Sequence, residues 1–343
     1  MFEKSPVGPE SDKKRQQTSL LDSKRGGQID CLCAGIVVSD TVCQPIQKMP
    51  QPGGMATTDR VELTIGGCAA NVAVDMARLG LTVGLSGRVG ADLLGREIRD
   101  RLSALGVDAS RLEISPTSPT SSTFVLNVVN EDRRFIHCVG ANSEFDAREI
   151  TDDSIRRSKV LYVGGFCLLE SLTPERVIRL FRVAREARVA TMLNVVLSET
   201  TDTIAWLHPV LPWTDFFFSN DDEAHRITHQ TDSVSQAEAL RSLGVRTAVV
   251  TSGDRGAVLI SQDVRLRASV YPVTPIDGTG TGDAFAAGFL YGVRRNENVA
   301  NCLRFGTALG ASCVRSMGAT TGVFNAIELA EFVRANPLSI ESF

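Results

Sequence analysis

From Asp30 onward, short apolar runs alternate with segments whose apolar residues recur every three or four positions, the pattern of strands interleaved with helices. The near-continuous run Cys31 to Val38, bounded by Asp30 and Ser39, predicts a strand buried on both faces. Ala69, Val72, Ala73, Met76 and Leu79 then follow helical spacing, with Gly80 as the stop. Leu81 to Leu85 reads as the next strand, and Leu93 to Leu105 as a helix with Leu93, Leu94, Ile98, Leu102 and Leu105 on its apolar face. The alternation resumes with a strand at Val160 to Val163 and a helix at Pro174 to Ala187, whose proline suits a first turn. Strands at Val189 to Val196 and Phe216 to Phe218, helices at Asp222 to Ile227 and Ser235 to Leu243, and a strand at Ala248 to Thr251 follow. This order predicts an α/β fold: a doubly wound, mainly parallel sheet flanked by helices, over residues 30–335.

Two stretches interrupt the alternation. Residues 41–65 place Pro45, Pro50, Pro52, Gly53 and Gly54 between β-prone pieces, and residues 121–138 read as a hairpin around Asn130 and Glu131. Excursions of this length are either surface decoration or a small β-sheet lid over a cleft. Residues 1–29 are polar, with Lys13, Lys14, Arg15, Gln16 and Gln17 and almost no apolar periodicity, and read as a disordered leader. Residues 336–343 read as a tail.

Composition narrows the function classes. A chain of 343 residues, 43% hydrophobic, builds its core without disulfide or metal staples. Thirty-six basic against 40 acidic residues leave a net charge of −4, with no electrostatic footprint for nucleic acid. The 8 cysteines contain no C-x-x-C pair and the 4 histidines are scattered, so no structural zinc site is expected. Cys31 and Cys33 read as small buried hydrophobes, and reduced thiols in the cytoplasm are the default. The longest apolar runs fall far short of the roughly 20 residues that span a bilayer, so no membrane association is expected.

The chemistry is concentrated in two glycine-rich stretches. In Asp277-Gly278-Thr279-Gly280-Thr281-Gly282-Asp283 the alternate glycines let successive N–H groups turn inward, and the apolar run Ala284 to Leu290 predicts a buried helix behind them. Glycines feeding a helix N-terminus form an anion hole, suited to the charge that builds during phosphoryl transfer. Asp283, in the first turn, is placed either to cap the helix or to accept a proton from a hydroxyl poised beside a phosphate. The stretch is neither a Walker A loop nor G-x-G-x-x-G after a strand. The second stretch, Gly66-Gly67-Cys68-Ala69-Ala70-Asn71, allows close backbone approach to a ligand, and Asn71 both donates and accepts as sugar hydroxyls require. Its plain alternative is a tight turn.

In that order and at a separation of about 200 residues, the two stretches resemble the paired signatures of the ribokinase-like (PfkB) carbohydrate kinases. The resemblance implies ATP-dependent transfer of a γ-phosphate to a hydroxymethyl group of a sugar or sugar-like molecule. Asp283 would be the base, with Gly280, Thr281 and Gly282 as the anion hole. It implies that Asp40, Gly66, Gly67, Asn71, Asn142 and Asn194 hold the substrate. Asn220, Thr251, Gly253, Gly256 and Gly318 would line the nucleotide site. Asn220-Asp221-Asp222-Glu223 matches an N-x-x-E element, so Glu223 would hold Mg2+, through water. Asp277 marks the region where relatives bind a monovalent cation such as K+. Gly90-Ala91-Asp92-Leu93-Leu94-Gly95 reads as a structural helix start. The lid in this family often pairs between subunits, which predicts a homodimer. Cys68 and Ala69 replace a usual Lys-Gly, Val38 a frequent polar contact, and Gly278 a usual Thr or Pro, which leaves the sugar open. A nucleoside kinase of the same superfamily and a non-catalytic sugar-binding regulator are the alternatives. A Rossmann dehydrogenase lacks its motif here.

Overall fold

In the computed structural model, described for residues 28–131, 134–198 and 201–343, two sheets share the chain. The larger is built from β1 (Ile29–Gly35), β4 (Val83–Gly90), β5 (Val107–Ser115), β8 (Ser158–Phe166), β9 (Ala190–Val195), β10 (Phe216–Asn220), β11 (Thr247–Thr251), β12 (Ala257–Ile260), β13 (Arg265–Ala268) and β14 (Ile340–Ser342). Its order is β14-β13-β12-β11-β10-β9-β8-β1-β4-β5, parallel from β11 to β5 and antiparallel beyond β11. The smaller sheet, β3-β2-β6-β7, joins β2 (Val38–Cys43), β3 (Val61–Gly66), β6 (Ser122–Leu126) and β7 (Arg134–Cys138).

Helices cover both faces of the large sheet because the parallel strands alternate two apolar surfaces. Cys31, Cys33, Val160 and Tyr162 point to one side, where α1 (Cys68–Arg78), α2 (Leu93–Ala104), α8 (Thr281–Arg294), α9 (Val299–Cys313) and α10 (Ala326–Ala335) pack. Leu32, Ala34, Leu161 and Val163 point to the other, against α3 (Asp152–Arg156), α4 (Pro174–Glu186), α6 (Asp221–Thr228) and α7 (Ser233–Ser242), with the short α5 (Thr203–Trp206) beside them. Cys31 and Cys33 are fully buried on β1, as expected of small apolar residues.

Three expectations are revised. The run Cys31 to Val38 is two strands, not one: Gly35 turns at φ +138° and Val38 already belongs to the small sheet. A Cβ at Gly35 would lie 2.0 Å from the Gly164 carbonyl oxygen, so only glycine lets β1 leave the sheet this close to β8. Residues 336–343, expected as a tail, carry β14, which closes the antiparallel end of the sheet. The expected leader lies outside the described residues up to position 27, and Ile29 already opens β1. The strands β5 and β13 had no clear apolar run to announce them, β5 being half exposed and β13 alternating exposed and buried, whereas β12 is the apolar run Ala257–Ile260, buried throughout.

The strand order reverses around β1, which has β4 on one side and β8 on the other. At such a switch point the connections leave in opposite directions, and a crevice opens at the carboxyl ends of the strands. Replacing Gly35 with alanine there should cost about 3 kcal/mol or more, through clash and positive φ together. Gly80→Ala, at φ +82° with nothing within 4 Å, should cost about 1 kcal/mol. Urea unfolding of the two variants checks the ranking.

Candidate active site

The crevice is bounded by two helix N-termini, each led in by glycine. Gly67, at φ +90°, precedes α1 and lies against the Ile36 carbonyl, where a Cβ would come within 2.5 Å. Gly280, at φ +77°, precedes α8 and lies against Ala319, where a Cβ would come within 2.4 Å. Neither helix has a side-chain N-cap, so first-turn N–H groups face the crevice uncapped. Gly282 is exposed, and a Cβ there would meet nothing within 4 Å, which leaves an open cradle at the start of α8. Thr281 differs from expectation: its hydroxyl donates to the Gly278 carbonyl at 2.9 Å and its N–H leans the same way at 3.4 Å, so it shapes the loop.

The two signatures meet directly. The Asn71 side-chain amide donates to Asp283 Oδ2 at 2.8 Å, across 212 residues of sequence. Asp283 is 9% exposed, and burial raises its carboxyl above the usual range, while donation from Asn71 and from the Cys68 thiol opposes the shift. Asp277 is also buried, but its oxygens are spent. Oδ1 accepts from the Thr279 N–H and hydroxyl at 2.9 and 2.7 Å, and Oδ2 accepts from the Gly318 N–H at 3.0 Å. Gly318 was expected in the nucleotide wall; it sits instead between Asp277 and the lid residue Thr64, 3.2 Å from where its Cβ would be.

Over the crevice, the small sheet presents a polar rung. In register across its four strands stand Thr64, Asp40, Thr123 and His137. The Asp40 carboxylate lies over the Cα of Gly66, where a Cβ would fall 2.0 Å from Oδ2, so Gly66 clears room for an aspartate and not for a ligand alone. Asp40 accepts from the Thr123 hydroxyl, whose oxygen lies 3.0 Å from His137 Nδ1. Burial, opposed by that hydrogen bond and reinforced by the charges of Asp283 and Asp277, pushes Asp40 up to about 6. The next rung faces outward and is apolar at three of its four positions: Leu63, Phe124 and Ile136, with Thr41 between them.

Other expected residues have structural duties. Asn142 is fully buried, and its amide both accepts from the Val37 N–H at 3.2 Å and donates to the Val37 carbonyl at 3.0 Å, which pins the turn into the lid. Asn220 and Glu223 form a reciprocal capping box on α6, at 2.7 and 3.0 Å. Glu223 nonetheless feels Asp283, and burial lifts it to about 7. One oxygen engaged and one left over suits a carboxylate that meets a hydrated cation, so Glu223 fits magnesium held through water. Thr251, Gly253 and Gly256 lie in and beside the connection from β11 to antiparallel β12; Gly253 is open, whereas Gly256 is committed to packing on Ala268. Asn194, at the end of β9, keeps a buried Oδ1 with no partner, as do Ser219 Oγ, Thr64 Oγ1 and Asn71 Oδ1. Thr64, Thr123 and Ser219 were missed from the sequence; the alternation of polar residues in the lid strands was the signal for the two threonines. Asp92 caps α2 and accepts from Thr120 at 2.6 and 2.7 Å, which confirms a structural helix start.

One further carboxylate lies beneath. Asp75, one turn along α1 from Asn71, is 0% exposed, both its oxygens lack partners, and burial lifts it well above the usual range. Asp75, Asp40 and Glu223 all have folded-state affinities for protons above their unfolded ones. The native state therefore binds more protons, so their contribution to stability is best at low pH and falls as pH rises from about 4 through 7. Asp75→Asn should stabilise the protein at pH 8 by about 1–3 kcal/mol and flatten that decline. Thermal melts of both proteins at pH 5 and 8 check it; equal pH dependence would contradict the assignment.

Comparison with known proteins agrees with this geometry. The family model described as "pfkB family carbohydrate kinase" matches residues 29–325. The chain belongs to that family and is a kinase. Among curated relatives, a nucleoside kinase of Methanothermobacter thermautotrophicus is 26% identical over 86% of this chain and 92% of its own. A 5-dehydro-2-deoxygluconokinase of Clostridium botulinum is 24% identical over 79% and 84%, and a ribokinase of Haemophilus influenzae 25% over 82% and 92%. Among solved structures, Arabidopsis thaliana ribokinase with ribose and ATP superposes with a TM-score of 0.77 at 22% identity, covering 90% of this chain and 99% of that one. A ribokinase II structure from E. coli with ATP and Mg2+ gives 0.77 at 21%, covering 90% and 100%. The fold is ribokinase-like, and the family chemistry is ATP-dependent phosphorylation of sugars or nucleosides with Mg2+.

Proposed function

We propose that this kinase transfers the γ-phosphate of ATP to a hydroxymethyl group of a sugar or nucleoside, with Asp283 as the general base. The observation that carries the reading is the Asn71–Asp283 hydrogen bond, which places one carboxylate where both glycine-led helix N-termini open. The substrate oxygen attacks the γ-phosphorus, its proton passes to Asp283, and the bond to the β-phosphate oxygen breaks to release ADP. Asp283's raised proton affinity brings it nearer to neutral pH, where a general base works best. Gly280 and Gly282 supply the N–H side of the anion hole, and Thr281 holds the loop in shape.

Asp40 and Asn71 grip substrate hydroxyls, with Gly66 and Gly67 making room; Asn194 offers its free Oδ1 to the same ligand. Asn220, Thr251 and Gly253 stand at the strand ends that would take the nucleotide. Magnesium held near Glu223 supplies charge neutralisation of the phosphates when bound, and a monovalent cation such as K+ beside Asp277 belongs to the same reading. A nucleoside acceptor is supported by the nucleoside kinase among the relatives. Free thiols at all eight cysteines fit a reducing cytoplasm; no helix among the described residues is long and apolar enough to cross a membrane.

Asp283→Ala should lower kcat by about 10²–10⁴-fold while leaving ATP binding within a few-fold, because the base acts only in the transition state. Turnover assays paired with ATP titration calorimetry check it; near-normal turnover would remove Asp283 from the mechanism.

A homodimer through the lid is part of the proposal. The outward face of the small sheet exposes Val61, Phe124 (53%) and Ile136 (62%), an apolar patch of the kind that marks an interface. Light scattering should give a dimer for the wild type and a monomer for the Phe124→Asp/Ile136→Asp double variant; a monomeric wild type would end the idea.

A further inference from the structure

We propose that the cleft selects its substrate by charge and donor content: it accepts an uncharged, hydroxyl-rich molecule and rejects sugar acids and sugar phosphates. The inference deepens the kinase reading and rests on it. It starts from what the crevice offers a ligand. Asp40, Asp277 and Asp283 are all buried around it, and the charges acting on Asp40 are those of the other two carboxylates. Among the buried polar atoms without partners are Asn71 Oδ1, Asn194 Oδ1, Thr64 Oγ1 and Ser219 Oγ, and beneath them both oxygens of Asp75. Two of these are amide oxygens, which can only accept, and the hydroxyls accept as readily as they donate. A buried acceptor with no donor is costly, so the complementary ligand carries O–H or N–H groups at several positions.

The arginines that the structure ties to the helices and lid strands around the crevice are engaged with protein groups. The guanidinium of Arg78 is spent on the carbonyls of Thr320, Thr321 and Val323. Arg101, which reaches the lid strand, holds the Leu63 carbonyl at 2.5 Å and Glu97 at 2.6 Å. Arg226 holds the Leu197 and Ser198 carbonyls, and Arg255 pairs with Asp221. Arg134, on the lid hairpin, points to Glu131 at 2.5 Å and is exposed. The two described lysines, Lys48 and Lys159, are both exposed, in the loop after β2 and near the start of β8. Cys68, next to the paired glycines, is a neutral thiol that donates to Asp283 and has its proton affinity raised by burial and by that carboxylate. His137 completes the rung beyond Thr123, and burial lowers its proton affinity, so at neutral pH it is uncharged.

Like charges brought together in such a site cost several kcal/mol, and each factor of 10 in kcat/KM corresponds to about 1.4 kcal/mol. An anionic form of a substrate should therefore be used about 100-fold less well than its neutral parent. The test uses the full-length protein with MgATP and matched pairs whose members both keep a free hydroxymethyl group: D-glucose and D-gluconate, D-fructose and D-fructose 6-phosphate, with D-ribose and adenosine as further neutral compounds. ADP release gives kcat/KM for each. The expected result is turnover of a neutral member and a ratio of about 100 or more over its anionic partner. An anionic member used as well as its neutral parent overturns charge selection and leaves the kinase reading standing. No ADP release with any compound overturns the kinase reading itself. A second arm uses Asp40→Asn, which keeps the shape and removes one negative charge. The neutral substrate's kcat/KM should fall while the neutral-to-anionic ratio shrinks about tenfold. A variant that lowers both members equally, with the ratio unchanged, assigns Asp40 a structural role and overturns the proposal.

Discussion

The arrangement depends on one buried contact, the hydrogen bond from the Asn71 amide to the Asp283 carboxylate. Buried at the start of α8, the Asp283 carboxylate needs neighbours that donate hydrogen bonds to it. Asn71 and Cys68 at the start of α1 do so, and thereby lock two helices from the same face of the sheet into one orientation. A hydrogen bond to a charged group contributes about 1.5–3 kcal/mol, enough to offset part of the burial cost, and the carboxyl still stays above its usual range. Everything else in the crevice is built around that junction: Gly280 against Ala319, Gly67 against Ile36, and Asp277 bridging the glycine loop to Gly318.

A second constraint is the departure of the chain from the sheet at Gly35. β1 sits at the switch point, and its continuation must pass within contact distance of Gly164 before climbing into the lid. Asn142 then holds Val37 by both ends of its backbone group, so the lid is anchored at the place where the crevice is deepest. Because β2 pairs with both β3 and β6, alternate rungs divide cleanly into a polar underside carrying Asp40 and an apolar outer face carrying Phe124 and Ile136. One strand thus presents two faces of opposite character, through the two-residue period of the pleat.

The crevice is more acidic than its motifs suggest. Asp40, Asp75 and Glu223 each feel the charge of Asp283, and burial raises the proton affinity of all four. Stability is given up to hold these groups in place, which is the usual relation between a preorganised site and its fold.

Apolar periodicity alone determined the α/β class, and the long helices at Ala69 to Leu79, Leu93 to Leu105 and Pro174 to Ala187 were legible to within a few residues, because each buries a continuous stripe. The glycine spacings around Asp283 and Asn71 pointed to the kinase class, and at Gly67 and Gly280 a positive φ and close neighbours exclude a side chain. What tertiary structure decided was partnership. That Asn71 meets Asp283, that Asn142 serves Val37 and not the cleft, that Gly318 answers Asp277, and that Glu223 begins as a helix cap are facts of distance between remote segments. No local pattern encodes them. The split of Cys31 to Val38 into two strands was hidden for the same reason: an apolar run looks alike whether it continues in one sheet or crosses to another, and only the crowding at Gly164 makes Gly35 the turning point.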